Sequence, residues 1–130
     1  MTSKLSGISS MATRQVLADL VQAYTQGEGG GTAVAIESVG GVDAAKRVAA
    51  GEAFDVVLLA ADAIDKLLAA GHVQAGSRVD LVKSPVAVAV RAGAPKPDIS
   101  SEEALRVAVL AAGSICFSTG PSGAHLTRLT

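Results

Sequence analysis

The first 71 residues alternate between short apolar runs and longer segments in which apolar residues recur at helical spacing. The pattern predicts a weak strand at residues 4–8, a β-branched strand at residues 32–38 and an unbroken apolar strand at residues 55–60. A helix is predicted after each strand. This order favours an α/β fold with a parallel sheet, in which the run at residues 55–60 is buried on both faces.

Glycine and acidic residues mark where the predicted helices begin and end. The first helix is predicted from Met11 to about Gln26, and the second is predicted to end before Gly51, a C-cap glycine. Asp62 is predicted to cap the third helix, which ends at Gly71.

The remainder of the chain continues this alternation. Valine and alanine alternate over residues 85–91 and predict a strand, and the proline- and glycine-containing residues 92–97 predict a loop. Ser100 and Glu103 have the spacing of a capping box and predict the start of a helix. The apolar residues 115–117 predict a last strand, which a further helix follows.

The composition argues against several classes of partner. The formal net charge is −1 and aromatic residues make up 2% of the chain, so neither a basic stripe nor an aromatic platform for nucleic acid is expected. No apolar run approaches the ~18 residues of a membrane-inserted helix. Cys116 is the single cysteine, and its apolar neighbours predict a buried strand residue. No cofactor is predicted, because no spacing of cysteine and histidine fits a metal site.

Small residues and free backbone amides lie at helix N-termini in three predicted strand-to-helix turns. These turns follow the predicted strands at residues 4–8, 32–38 and 115–117. Ligands of open parallel sheets bind beyond the carboxyl ends of the strands, where these amides and the helix dipole favour an anion. The turns therefore predict a shared site for a small anion, although the same residues would also serve simply as helix caps and turn formers. The candidate ligand-binding residues are Ser9, Ser10, Ser38, Gly40, Gly41, Ser122 and Gly123.

No arrangement typical of catalysis stands out. His72 follows a helix C-terminal glycine, His125 has no assignable partner, and Ser122 lacks the glycine pattern of a nucleophile elbow. Asp62 and Asp65 are spaced like a carboxylate pair, but acidic residues are also favoured at the start of a helix. We therefore expect that the chain is not an enzyme.

Residues 8–17, 51–62 and 119–123 resemble the substrate-binding proteins of molybdate-type ABC transporters. The segment Gly51-Glu-Ala-Phe-Asp-Val-Val, followed by Leu-Leu-Ala-Ala-Asp62, carries the most specific part of the resemblance. The resemblance implies a fold like that of type II periplasmic binding proteins, with a three-layer αβα lobe and the start of a second lobe.

The same resemblance implies a division of the chain. Residues 1–84 would form an incomplete first lobe, residues 85–97 a crossing strand and linker, and residues 98–130 the opening of a truncated second lobe.

The resemblance also assigns roles to the turns. Ser10 matches the serine that binds the oxyanion through its hydroxyl and amide, and Ser122 matches a contact made through its backbone amide. The second-turn serine of molybdate binders falls on Gly40 or Gly41 here, with Ser38 as an imperfect substitute. The implied ligand is molybdate, a related oxyanion or a small carboxylate.

The implied function is that of a non-enzymatic solute-binding component of an ABC importer, with a small anionic solute and a permease as partners. The implied location is the periplasm, although the chain as written shows no signal peptide and would stay cytoplasmic if it is the full product. An exposed sheet edge predicts pairing with another copy of the chain, as a homo-oligomer, or with a missing partner segment. The alternatives are a cytoplasmic ligand-sensing module of the same fold, and a remnant that folds or assembles without tight binding.

Overall fold

A computed structural model describes residues 3–129, and the chain divides into two compact units, Met1–Val82 and Lys83–Thr130. The first unit contains β1 (Ser3–Ser10), a 3-10 turn (Met11–Thr13), α1 (Arg14–Gln26), β2 (Thr32–Val39), α2 (Gly41–Ala49), β3 (Val56–Leu58) and α3 (Ala61–Ala69). The second unit contains α4 (Glu102–Ala111) and α5 (Pro121–Leu129).

The three strands form one parallel sheet in the order β2-β1-β3. β1 is central and pairs with β2 along its whole length, from Ser3 opposite Thr32 to Ser10 opposite Val39. On its other side, residues 7–9 pair with the short β3. The predicted mixed α/β fold with a parallel sheet is therefore confirmed, whereas the finer type II lobe stays a prediction.

The core of the first unit lies between the central strand and two helices. Ile8 is fully buried and packs with Ala44 and Val48 of α2 and with Leu67 of α3. Ala44 and Val48 are four residues apart, so a single face of α2 meets the sheet. Because successive strand side chains point to opposite faces, Ser10 lies on the same face as Ile8, the face that α2 and α3 cover.

The conformation after α2 explains part of the Gly51-to-Asp62 pattern. Gly51 has a φ of +93°, a left-handed conformation that favours glycine and ends the helix. The next residue, Glu52, forms an ion pair with Arg47, whose guanidinium lies 5.6 Å from the centre of the Phe54 ring. Phe54 itself packs against the core. These residues stabilise the return of the chain from α2 to the sheet.

Asp55 joins β3 to the central strand. Its Oδ2 accepts hydrogen bonds from the backbone N of Ser6 at 2.8 Å and from Ser6 Oγ at 3.3 Å, and its own backbone N donates to the Ser6 carbonyl at 2.9 Å. The aspartate of the predicted strand is thus a structural residue that sets the register of β3 on β1.

Three helix starts differ from those predicted. The first helix is predicted from Met11, but Met11–Thr13 form the 3-10 turn and α1 begins at Arg14. Ala60 is the N-cap of α3, and Asp62 lies two residues further in, within the first turn, where its carboxylate accepts from the backbone N of Ala63. Ser101, and not Ser100, caps α4, because the Ser100 hydroxyl donates to Asp98 instead. Neighbouring residues of equal capping ability compete, and local partners decide between them.

The later strand predictions are wrong for the structure described at residues 3–129. Residues 85–91 and 115–117 form no strand there, and Cys116 is exposed rather than buried. A strand needs a neighbouring strand to pair with, so alternation and β propensity alone do not produce one. The strand predicted at residues 55–60 shortens to β3, which is half-exposed because it has a partner on only one side.

Candidate anion-binding site

The N-terminus of α2 lies next to the end of the central strand. Ser10 is the register partner of Val39, and Gly40, the N-cap of α2, follows immediately. The first hydrogen bond of the helix runs from Ala44 N to the Gly40 carbonyl at 2.9 Å. The amides of residues 41–43 precede it and have no partner within the helix, which makes this a position that favours an anion.

The Ser10 hydroxyl is available at the same place. Ser10 has an extended backbone, with φ −71° and ψ 160°, and its side chain makes no capping hydrogen bond to the 3-10 turn that follows. It shares the sheet face that α2 covers, so its hydroxyl and the α2 amides lie on one side of the sheet. The structure therefore brings together Ser10, Gly40 and Gly41.

Ser9 and Ser38 form a contact of their own on neighbouring strands. They are register partners, and their hydroxyl oxygens lie 2.7 Å apart. Ser9 is fully buried, whereas Ser38 is half-buried. Ser9 Oγ also donates to the Ser10 carbonyl oxygen at 3.0 Å. The predicted ligand contacts of this pair stay predictions, since both hydroxyls already have partners within the protein.

The turn after β3 belongs to the same edge of the sheet and was missed by the sequence analysis. β3 lies beside β1 on the side away from β2, and α3 begins directly after it with Ala60 as N-cap. The N-termini of α2 and α3 thus flank the carboxyl end of β1. Ala60 has no polar side chain that would indicate a ligand contact. The order of strand and helix in the sequence was nevertheless sufficient to predict this turn.

A negatively charged side chain also lies close to this edge of the sheet, beside the N-terminus of α2. Asp43, in the first turn of α2, has its Oδ2 3.6 Å from the position that a Cβ of Gly40 would occupy. A carboxylate here partly neutralises the helix N-terminus and repels a bound anion, but it also provides a group that can accept a proton near that anion.

The remaining predicted site residues lie in the second unit. The hydroxyl oxygens of Ser118 and Ser122 are 2.9 Å apart across the turn that begins α5. Gly123 is buried, and a Cβ added to it would overlap the backbone carbonyl of Ser118. Only glycine therefore fits at this position without a backbone shift. Gly123 also accepts a hydrogen bond from Thr127 through its carbonyl oxygen.

Within residues 3–129, no three or more histidine, cysteine or acidic side chains are grouped in a way that could hold a metal ion. No helix among these residues combines the length and hydropathy of a membrane span. Two shallow grooves, lined mainly by apolar residues, lie in the second unit around Pro97 and do not include the predicted site residues.

Comparison with known proteins identifies the family of this mixed α/β chain. Residues 5–129 match a family described as bacterial extracellular solute-binding protein. The chain belongs to this family. The predicted class of solute-binding protein is thereby confirmed, whereas specificity for molybdate and an ABC-transporter role stay predictions.

A curated relative from Pseudomonas sp. is named aconitate isomerase, and 83 aligned residues are 48% identical. The alignment covers 64% of this chain but 32% of the relative, so the chain spans about a third of the length of the relative it matches. The expectation that the chain is not an enzyme is contradicted by this finding, because the relative carries the name of an enzyme.

Proposed function

We propose that the chain binds a small polycarboxylate, of which aconitate is an example, at the sheet edge formed by Ser10 and the N-termini of α2 and α3. The observation that carries the proposal is that these two helices begin on either side of the end of β1. Two helix N-termini provide separate groups of amides, which suits a ligand with more than one carboxylate.

A carboxylate ligand fits the turn residues better than molybdate does. The second turn carries Gly40 and Gly41, which supply amides but no hydroxyl. A flat carboxylate needs few donors at each position, whereas a tetrahedral oxyanion is normally surrounded by them. The name of the relative points to the same ligand class, since aconitate is a tricarboxylate.

The expected affinity is modest. Hydrogen bonds to a charged group contribute about 1.5–3 kcal/mol each, and a helix N-terminus adds about 0.3–1 kcal/mol. Association costs at least about 4 kcal/mol, and micromolar binding requires a net value of about 8 kcal/mol. Two or three donors open to solvent therefore support binding in the millimolar range.

The proposal is tested by titrating the 130-residue chain, uniformly labelled, with trans-aconitate, tricarballylate, molybdate and sulfate under NMR observation. We expect the aconitate-type anions to shift the amides of residues 10 and 41–43 with millimolar affinity. Shifts produced equally by all four anions, or confined to other residues, would contradict the proposal.

A second candidate function is isomerisation of the bound polycarboxylate, which the name of the relative and the position of Asp43 favour. Moving the double bond of an aconitate requires that a proton leave the neighbouring methylene carbon and that a proton return at the former alkene carbon. Asp43 is a candidate to accept the first proton. Conversion of cis- to trans-aconitate, followed by chromatography, tests this activity.

The proposed setting is outside the cytoplasmic membrane, where the protein would deliver its anion to a permease. The family description as extracellular supports this setting. Cell fractionation of a strain expressing the native gene tests it, since recovery in the cytoplasmic fraction would instead favour a ligand-sensing role.

A further inference from the structure

Residues 83–91, in the second unit, form an exposed stretch of chain whose backbone has no partner. No turn or bend interrupts these residues, and every one of them is exposed. Within the part of the chain that the structure describes, residues 81–90 make no backbone hydrogen bond. Their peptide groups therefore present donors and acceptors to solvent, as those of an unpaired edge strand do.

The sequence of this stretch is self-complementary. Valine and alanine alternate from Val86 to Val90, with Val88 at the centre, so the pattern is the same in both directions. In an extended chain the three valines share one face, and they are exposed to nearly the same extent, at 45%, 46% and 44%. Two copies that pair in antiparallel orientation about a two-fold axis at Val88 place Val86 of each copy opposite Val90 of the other. Apolar β-branched side chains then meet directly across the pair.

The charges at the ends of the stretch favour the same orientation. Lys83 and Arg91 are the two charged residues of the range 83–91, and both are cations. A parallel pair in register would place each cation opposite its own copy, which is unfavourable. The antiparallel pair about Val88 instead places Arg91 opposite the uncharged Pro85, and Lys83 beyond the end of the facing stretch. No cation then lies directly opposite another.

Open space lies beside the centre of the stretch. Val88 and Val90 line a shallow groove of about 370 Å³, and Lys96, Pro97 and Ile99 form its other side. The chain that returns at residues 96–99 therefore does not fill the space along the valines. The lining is mainly apolar, which suits the valine side chains of a second copy.

We propose that residues 85–91 are a dimerisation strand, which pairs in antiparallel orientation with residues 85–91 of a second copy. Strand formation and dimerisation are then a single event, because a strand needs a partner and the partner is the other copy. The stretch contains no residue of the candidate anion-binding site, so the inference is independent of the proposed function. The dimer is weak, since a two-stranded pair is marginal in water and small interfaces are transient.

Sedimentation equilibrium of the 130-residue chain between about 20 µM and 1 mM measures the association, and we expect a monomer–dimer equilibrium in this range. Val88→Lys places two like charges on the two-fold axis and should weaken the association roughly tenfold or more. Because Val88 is exposed and belongs to no helix or strand, the variant should fold as the unmodified chain does. Val79→Lys is the matched control, at an exposed valine outside the stretch, and should leave the association unchanged.

Two double variants test the orientation. Val86→Lys with Val90→Glu keeps the net charge and places opposite charges across an antiparallel pair, whereas Val86→Lys with Val90→Lys places like charges there. The two positions are about 13 Å apart along an extended strand, so their charges do not pair within one copy. We expect the first double variant to associate roughly tenfold more tightly than the second. Equal association of the two would overturn the inference, because a parallel pair places like charges together in both.

Amide hydrogen exchange distinguishes the dimer from pairing of the stretch within a single chain. We expect the protection of the amides of residues 86–90 to rise with protein concentration and to be lost in Val88→Lys. Protection that does not depend on concentration would overturn the inference, as would a chain that stays monomeric up to about 1 mM.

Discussion

The guanidinium of Arg47 donates to both carboxylate oxygens of Glu37, with nitrogen–oxygen distances of 2.7 and 3.1 Å. The same guanidinium donates to Glu52 at 2.6 and 2.8 Å. These contacts connect the edge strand β2 to α2 and to the loop that follows α2. Hydrogen bonding to Arg47 is the main cause that lowers the pKa of Glu37 and the pKa of Glu52.

The pKa shifts predict how Arg47→Ala changes the pH dependence of stability. Because the folded-state pKa values of Glu37 and Glu52 lie below the ordinary 4.5, their contacts add stability above pH 4.5 and lose it as the pH falls through the folded-state values. The variant should be less stable than the unmodified chain above pH 4.5, and the difference should shrink in acid. Both carboxylates are exposed and Arg47 is only half-buried, so the effect should also shrink at high salt.

Thermal unfolding between about pH 3 and pH 7, at low and high salt, measures this difference. Arg106→Ala is the control, since it removes the same charge but breaks only a long contact with Glu103 at 3.8 Å. An equal response of the two variants at every pH would show that the Arg47 contacts contribute nothing specific.

Ser10→Ala should separate binding from folding. Its hydroxyl makes no capping hydrogen bond, so the free energy of unfolding should change by less than about 0.5 kcal/mol. Loss of a hydrogen bond to a charged ligand should weaken trans-aconitate binding by roughly tenfold or more. NMR titration and urea unfolding measure the two quantities, and a large loss of stability would indicate a structural role instead.

Asp43→Asn should affect binding and catalysis in opposite directions. Removing a like charge beside Gly40 should raise the affinity for trans-aconitate roughly two- to fivefold, and more at low salt. If Asp43 accepts the proton during isomerisation, the same variant should lose cis-to-trans conversion. Tighter binding with conversion unchanged would exclude Asp43 as the base while keeping it next to the anion.

Ile8→Ala should destabilise the first unit strongly. Ile8 is fully buried between the central strand, α2 and α3, and its truncation leaves a cavity that costs about 2–5 kcal/mol. Val79→Ala, at a position where valine is 81% exposed, should change the stability by less than about 0.5 kcal/mol. Similar values for the two variants in urea unfolding would place the core elsewhere.

Gly123→Ala should disturb the start of α5. The added Cβ would overlap the Ser118 carbonyl, and since this contact is with the backbone, relief requires a shift that costs about 1–3 kcal/mol. Gly120→Ala is the matched control, because a Cβ there meets nothing within 4 Å. Faster amide hydrogen exchange in α5 of Gly123→Ala alone is the expected result, and equal exchange in both variants would contradict the contact.

The fold of the first unit could be predicted from local patterns because each pattern reflects a contact that forms nearby. Val48 lies on the buried face of α2, and Gly51 marks the end of this helix with a left-handed φ of +93°. In residues 85–91, by contrast, a local pattern predicted an element that the structure does not contain there. Their alternation is as regular as any in the chain, but a strand forms only opposite another strand, which no local pattern provides.

For the candidate site, too, some features follow from the local sequence and others depend on tertiary contacts. The sequence by itself determined that Ser10 and the pair Gly40-Gly41 end strands and begin helices, because strand length and helix spacing are local properties. Only the tertiary structure decided that β1 lies between β2 and β3, which adds the turn at Ala60 to the site and buries Ser9 against Ser38. Strand order depends on how α1 and α2 pack across the sheet, and such contacts between distant residues leave no periodic trace in the sequence.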